Sequence, residues 1–136
     1  MGFLFVGCLS YETLLAHIII MKYHYATFGR IEIDGRLYNK DVVVDRGNIM
    51  KREKNKSKVY KAHFGHTPLT PSENIPWNCA ELVIGTGFYS RLPVTDDMKA
   101  EAKKRGIKLK IMKTAEACDY LASVGTGTNA VLHITC

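Results

Sequence analysis

A chain of 136 residues suits one domain and leaves little room for two. A domain of this size buries roughly 65–70 % of its unfolded surface, so it folds without disulfides. Its 46 % hydrophobic and 24 % charged residues make an ordinary globular balance, and the net charge of +6 favours anionic partners, although a modest lysine excess is also common on plain soluble proteins.

Cys8, Cys79, Cys118 and Cys136 are scattered without a C-x-x-C pair. That pattern argues against a disulfide framework or a zinc site and fits reduced thiols in a cytoplasmic protein. No metal site and no cofactor are expected.

Residues 1–20 form an apolar extension unlike the rest of the chain. They lack the basic start and small-residue cleavage site of a secretory signal. Glu12 and His17 interrupt what would otherwise approach a membrane span, so no membrane partner is expected. The favoured expectation is a true start at Met21, with a single domain over 21–136. The alternative is an apolar helix packed on the domain or on a partner.

From Tyr23 the domain pattern begins. Ile31 and Ile33 alternate with Arg30, Glu32 and Asp34, as in a half-buried strand. Asp34-Gly35 is a strong hairpin signal, and Leu37-Tyr38 starts the return strand. The β-branched run from Asp41 to Asp45 reads as another strand, turned by Arg46-Gly47-Asn48. Lys51, Arg52, Lys54, Lys56 and Lys58 then form a basic run that contains no apolar residue. It is expected as an exposed loop or edge; its functional reading is a phosphate-contacting patch, its plain reading a solvated loop. Residues 59–78 are broken by three prolines and one glycine. Aromatic packing around Tyr60, Phe64 and Trp77 is expected to order them, with a turn of helix near Pro71-Ser72-Glu73.

The chain is organised around Glu81-Leu82-Val83-Ile84-Gly85-Thr86-Gly87-Phe88-Tyr89. Its apolar run reads as a strand covered on both faces, ending in a tight glycine turn. Open α/β sheets place ligands at such strand ends. Thr95 with Asp96 and Asp97 starts a helix that Gly106 ends. Ile107, Leu109 and Ile111 alternate with Lys108 and Lys110, giving a strand with one apolar and one wet face. Thr114 is expected to cap a second helix with Ala115, Cys118, Leu121 and Ala122 inward. After a loop at 125–128, Ala130–Ile134 is the last strand. The fold class is α/β with α+β character: a hairpin-rich first half, then β-α-β-α-β, giving a mixed sheet with helices packed on it.

Three candidate sites follow. Backbone N–H groups at Gly85, Thr86 and Gly87, with the Thr86 hydroxyl, could bind an anion. The turn matches neither the P-loop nor the G-x-G-x-x-G spacing, and tight loop geometry also explains it. His63 and His66 could act as acid–base groups or metal ligands, but no third ligand stands at a recognisable spacing. If that segment and the glycine turn form a cleft, His66, Thr67, Thr86 and Tyr89 line it. A nucleophilic Cys136, Cys118 or Cys79 would need a base or positive surroundings, and a thiol packed in or near the core is the simpler reading.

Several stretches together resemble a family of uncharacterised domains. They are Phe28 to Gly35, Tyr38, Asp41 to Val44, Glu81 to Gly87, Thr114 to Ala117 and Val131 to Cys136. The family is the MTH-nine-three-eight-like, or adipogenesis-associated, domain family, which also includes a mitochondrial complex I assembly factor. The resemblance covers about residues 23–136 and implies a three-layer single domain. It implies no catalytic residue, since no activity is firmly assigned to the family. The chain departs from the common pattern in the basic run 51–58 and in the elaborate segment from Gly65 to Trp77. The preferred function is therefore a non-enzymatic interaction or assembly factor with protein partners. The alternative is an anionic small molecule bound, or turned over, at the glycine turn. Nucleic-acid binding through 51–58 is the weakest of the three.

Overall fold

Three hairpins built on tight turns order the first half of the chain. The computed structural model describes residues 21–125 and 127–136. The expectations about residues 1–20 and a start at Met21 lie outside them. Strands β1 (Tyr23–Thr27), β2 (Arg30–Ile33) and β3 (Arg36–Tyr38) form a three-stranded antiparallel sheet. At the β2–β3 corner Asp34 and Gly35 have φ of +49° and +82°, the backbone of a two-residue turn whose twist matches the strands it joins. Arg46 and Gly47, at +50° and +85°, repeat this between β4 (Val42–Asp45) and β5 (Asn48–Lys51).

The larger sheet has the order β5-β4-β8-β6-β7, with β6 (Glu81–Thr86), β7 (Lys108–Met112) and β8 (Thr128–His133). Strand β6 runs parallel to both neighbours, while β4 runs antiparallel to β8 and β5. The strand expected to be central is interior, between β8 and β7, while β8 holds the middle of the sheet; the apolar run of β6 is buried on both faces. Alternation sorts the side chains. Val42, Val44, Val83, Ala130 and Leu132 face helix α3 (Thr114–Leu121) and the small sheet, where Ile31, Ile33, Cys118 and Leu121 complete one core. Val43, Leu82, Ile84 and Val131 face the other way, against Leu69, Leu92 and Met98 of helix α2 (Asp96–Lys104). Sheet, two covers and two cores make the layered α/β domain.

Local chemistry sets the helices. Thr95 Oγ1 accepts the Met98 N–H at 3.2 Å, an N-cap as expected. Thr114 does something other than cap. Its buried hydroxyl donates to the His133 carbonyl and accepts the Gly87 N–H at 2.8 Å, tying α3 to β6 and β8. Strand β7 is a sheet edge, so its apolar face is only half covered: Ile107 is buried but Ile111 is 42 % exposed. Strands β1 and β5, which alternate weakly, are additions to the elements expected from the sequence.

The glycine turn is built by contact as well as by φ. Gly87 has φ of +103°, and a Cβ there would lie 2.4 Å from the backbone carbon of Cys136. Gly87→Val is expected to cost roughly 2–5 kcal/mol, from left-handed strain plus a backbone clash. Gly106→Ala, at φ +71° with nothing within 4 Å of the added Cβ, should cost only about 1 kcal/mol. Urea unfolding of the two variants checks this; equal costs would show that the approach of Cys136 contributes nothing.

Candidate functional site

The sheet register assembles a row of ionisable side chains. Val42 pairs with Leu132 on one side and Lys51 on the other, so the position before it, Asp41, stands between His133 and Arg52. All three point to the same face as Val43 and Val131 because side chains alternate along strands. His133 Nδ1 lies 2.8 Å from Asp41 Oδ2, and Arg52 Nη1 donates to the same oxygen at 2.9 Å. The Ile134 N–H donates to Asp41 Oδ1 at 3.0 Å. Arg52 also donates through Nε and Nη2 to the two oxygens of Glu73, at 2.6 and 2.9 Å, and through Nη2 to the Pro68 carbonyl at 3.1 Å. Ser57 donates to Glu73 and shares a 2.7 Å hydrogen bond with Thr70.

The cluster corrects the sequence reading of the basic run in one respect. Arg52 and Ser57 are buried, because the guanidinium is the one cation in the run that can fork onto a carboxylate. Lys51, Lys54, Lys56 and Lys58 are exposed as expected, and residues 54–60 form a short 3-10 helix. The segment after it is ordered by Arg52 and Glu73 more than by its aromatics. Tyr60 and Phe64 stay largely exposed, beside a short helix α1 (Lys61–Phe64), while Trp77 packs on the second core and under Arg105. Pro71-Ser72-Glu73 forms a turn without helix.

Above the cluster opens a cleft of about 480 Å³. Lys40, Lys51, Lys54, Lys56 and Lys58 ring it, with Arg52 and Asp41 beneath and Thr135 in its wall. Thr135 Oγ1 lies 3.3 Å from His133 Nε2.

The residues singled out at the glycine turn are placed elsewhere. The N–H groups of Gly87, Phe88, Tyr89 and Arg91 donate to Thr114 Oγ1, the Thr135 carbonyl, and twice to the Cys136 carbonyl. Gly85 packs on Leu132 and Thr114, which leaves no room for a Cβ. Thr86 donates to the Met112 carbonyl at 3.0 Å and lines a separate, shallow groove with Lys99 and Lys113. The same Thr86 is also the register partner of His133, so it stands next in the row. His66 and Thr67 are half-buried and belong to neither the groove nor the cleft. His63 packs edge-on against Phe64 at 4.8 Å. Tyr89 is exposed beside Phe28. Among the described residues no three His, Cys, Asp or Glu side chains are grouped to hold a metal ion. Cys118 is buried in the first core, and burial pushes its thiol up to about 12; burial likewise raises Cys79.

Asp41, Glu73, His133 and Thr135 escaped the sequence reading. The signal available was the lone arginine among four lysines, which asks for a planar acidic partner. Burial by itself would raise the Asp41 carboxyl, but the hydrogen bond and charge of His133, the Ile134 N–H and Arg52 outweigh it and hold the group at about 2. From its ordinary 3.8, this lowering stabilises the fold by roughly 2 kcal/mol above pH 4 and is lost as pH falls through about 2. Asp41→Asn should flatten that part of the acid limb of a stability–pH curve. An unchanged acid limb would show that Asp41 is not held ionised.

A model of the family described as "Protein of unknown function (DUF498/DUF598)" matches residues 24–133. A search of curated proteins gave no match. Among solved structures, the fold is similar to the conserved hypothetical protein PH1505 from Pyrococcus horikoshii OT3, with 27 % identity and a TM-score of 0.70 over 85 % of this chain and 100 % of that one. It is similar to MT938, at 18 % identity and a TM-score of 0.62 over 85 % and 99 % of the two chains. It is also similar to XCC1710 from Xanthomonas campestris, at 15 % identity and a TM-score of 0.57 over 85 % and 86 %. The last two share the fold, in keeping with the MTH-nine-three-eight-like resemblance. With the model matched over most of its length, the chain belongs to the DUF498/DUF598 family of proteins of unknown function.

Proposed function

We propose that this protein binds a small anionic molecule in the lysine-ringed cleft above Asp41 and Arg52. The observation that carries the reading is convergence. Lys40, the β5 end at Lys51 and the 3-10 segment at Lys54, Lys56 and Lys58 bring five cations to one concavity. Among the described residues none of the five makes a salt bridge. A concave wall focuses their field on its contents, and about 480 Å³ is within the range of small-molecule pockets. The Arg52 cluster holds the floor rigid, so little ordering is needed on binding.

A second reading, interaction or assembly with a protein partner, has its own support. Phe28 is 54 % exposed and Tyr89 66 %, with ring centroids 6.2 Å apart and Phe88 beside them. Exposed clustered aromatics suit a contact surface. A defined partner retained by the wild type and lost by Phe28→Asp with Tyr89→Asp supports this face; equal retention by both removes it.

For the cleft, melting temperatures in inorganic phosphate, citrate and adenosine triphosphate give the test. A ligand at 100 times its Kd adds about 2.7 kcal/mol, on the order of 10 °C for a domain of this size. The combined variant Lys51→Gln, Lys54→Gln, Lys56→Gln should lose most of the shift. A shift of the same size in that variant, or none with any anion, overturns the proposal.

A further inference from the structure

We propose that Thr135 is a nucleophile for acyl transfer, activated by His133 and oriented through it by Asp41. The three side chains form a carboxylate–imidazole–hydroxyl relay. Asp41 Oδ2 to His133 Nδ1 is 2.8 Å, and His133 Nε2 to Thr135 Oγ1 is 3.3 Å. Burial is graded along it, with Asp41 enclosed, His133 12 % exposed and Thr135 in the cleft wall. An ionised carboxylate only accepts, so the proton between Asp41 and His133 sits on Nδ1. In the neutral ring Nε2 is then the acceptor facing the Thr135 hydroxyl, the tautomer a general base needs. The Ile134 N–H and Arg52 pin Asp41 from two further directions, which fixes the ring it holds.

The arrangement follows from the fold. His133 closes β8 and Thr135 follows two positions on; Thr135 lines the cleft, His133 lies behind it, and Asp41 is the cross-strand neighbour of His133. Thr135 also has its carbonyl fixed by the Phe88 N–H at 2.8 Å. Its backbone is therefore held while its hydroxyl is free to meet a ligand.

The step balances with water as the only co-reactant. Thr135 Oγ bonds to the carbonyl carbon of an ester as its proton passes to His133 Nε2. The bond from that carbon to the leaving oxygen breaks, and the leaving oxygen takes the proton from Nε2. Water then attacks the acyl-threonine, gives a proton to Nε2, and releases the carboxylic acid as that proton returns to Oγ. The substrate class is an activated ester that carries an anionic group. The step itself needs only the relay; the anionic preference rests on the proposed cleft function.

The probe is 4-acetoxybenzenesulfonate, with phenyl acetate as its neutral counterpart, offered to the full chain. Release of the phenol is followed by absorbance, and acetylated peptides are mapped by mass spectrometry. The expected result is hydrolysis that Thr135→Ala and His133→Gln each lower about 100-fold or more, that Thr135→Ser retains, and an acetyl group on Thr135. Thr135 is half-buried, and the melting temperatures of its variants check that they fold. Equal rates for wild type and Thr135→Ala, or acetyl groups on lysines alone, overturn the relay. If the phosphate-induced thermal shift persists in that case, the cleft function stands without it. A Thr135-dependent rate no faster on the sulfonated ester than on phenyl acetate upholds the relay and overturns the anionic preference.

Discussion

One guanidinium holds the unusual half of this domain in place. Arg52 is buried with two carboxylates, and four of its hydrogen bonds reach Asp41, Glu73 and the Pro68 carbonyl. A buried ion pair contributes little against a well-packed apolar substitute, but removing one member strands a charge and costs about 3–5 kcal/mol. The stretch from Arg52 to Ile75 has few apolar anchors besides Leu69 and Ile75, so the charges supply the constraint. Glu73 reaches Ser57 and Arg52, Asn74 reaches the backbone of Lys51 and Glu53, and the irregular chain is drawn onto the sheet. Among the described residues, every buried side-chain polar atom has a partner. That completeness is what makes a buried polar network tolerable.

The network depends in turn on strand register. Arg52, Asp41, His133 and Thr86 are neighbours across four strands, so the row exists only in this pairing. A slip of one residue would turn Asp41 toward the apolar face shared with Ile31 and Leu121. The Arg46-Gly47 turn protects against that by fixing β4 against β5, and the Arg46 N–H bonded to Asn129 at 2.8 Å ties the same corner to β8. Local turn chemistry thus positions charges at the opposite end of the strands.

Period and punctuation made the fold legible. The apolar run at Leu82–Ile84, the Asp34-Gly35 turn and the Thr95 cap each act through near neighbours in sequence, and each is where the residues pointed. Thr114 misled because a threonine before a helical stripe looks like a cap, whereas its hydroxyl is spent on β6 and β8. The cleft was half legible. A lysine run announces charge, but its meaning came from Asp41, Glu73 and His133, which lie 11, 21 and 81 positions from Arg52 in sequence. Such contacts leave no periodic trace, and only the register of β4 and β8 reveals them. At the glycine turn the sequence showed a backbone able to donate but could not show which acceptor the fold would bring there.

That acceptor comes from the chain itself. Thr135 and Cys136 occupy the donors of the turn after Thr86, much as a bound peptide would. A tethered acceptor competes at an effective concentration on the order of millimolar or more. Any dissolved carboxylate or phosphate that engages these amides must first displace it, so weak anions are shut out. The turn thus acts as a latch that fastens the end of β8 to β6, and the same fastening fixes the backbone that carries Thr135 along the wall of the cleft.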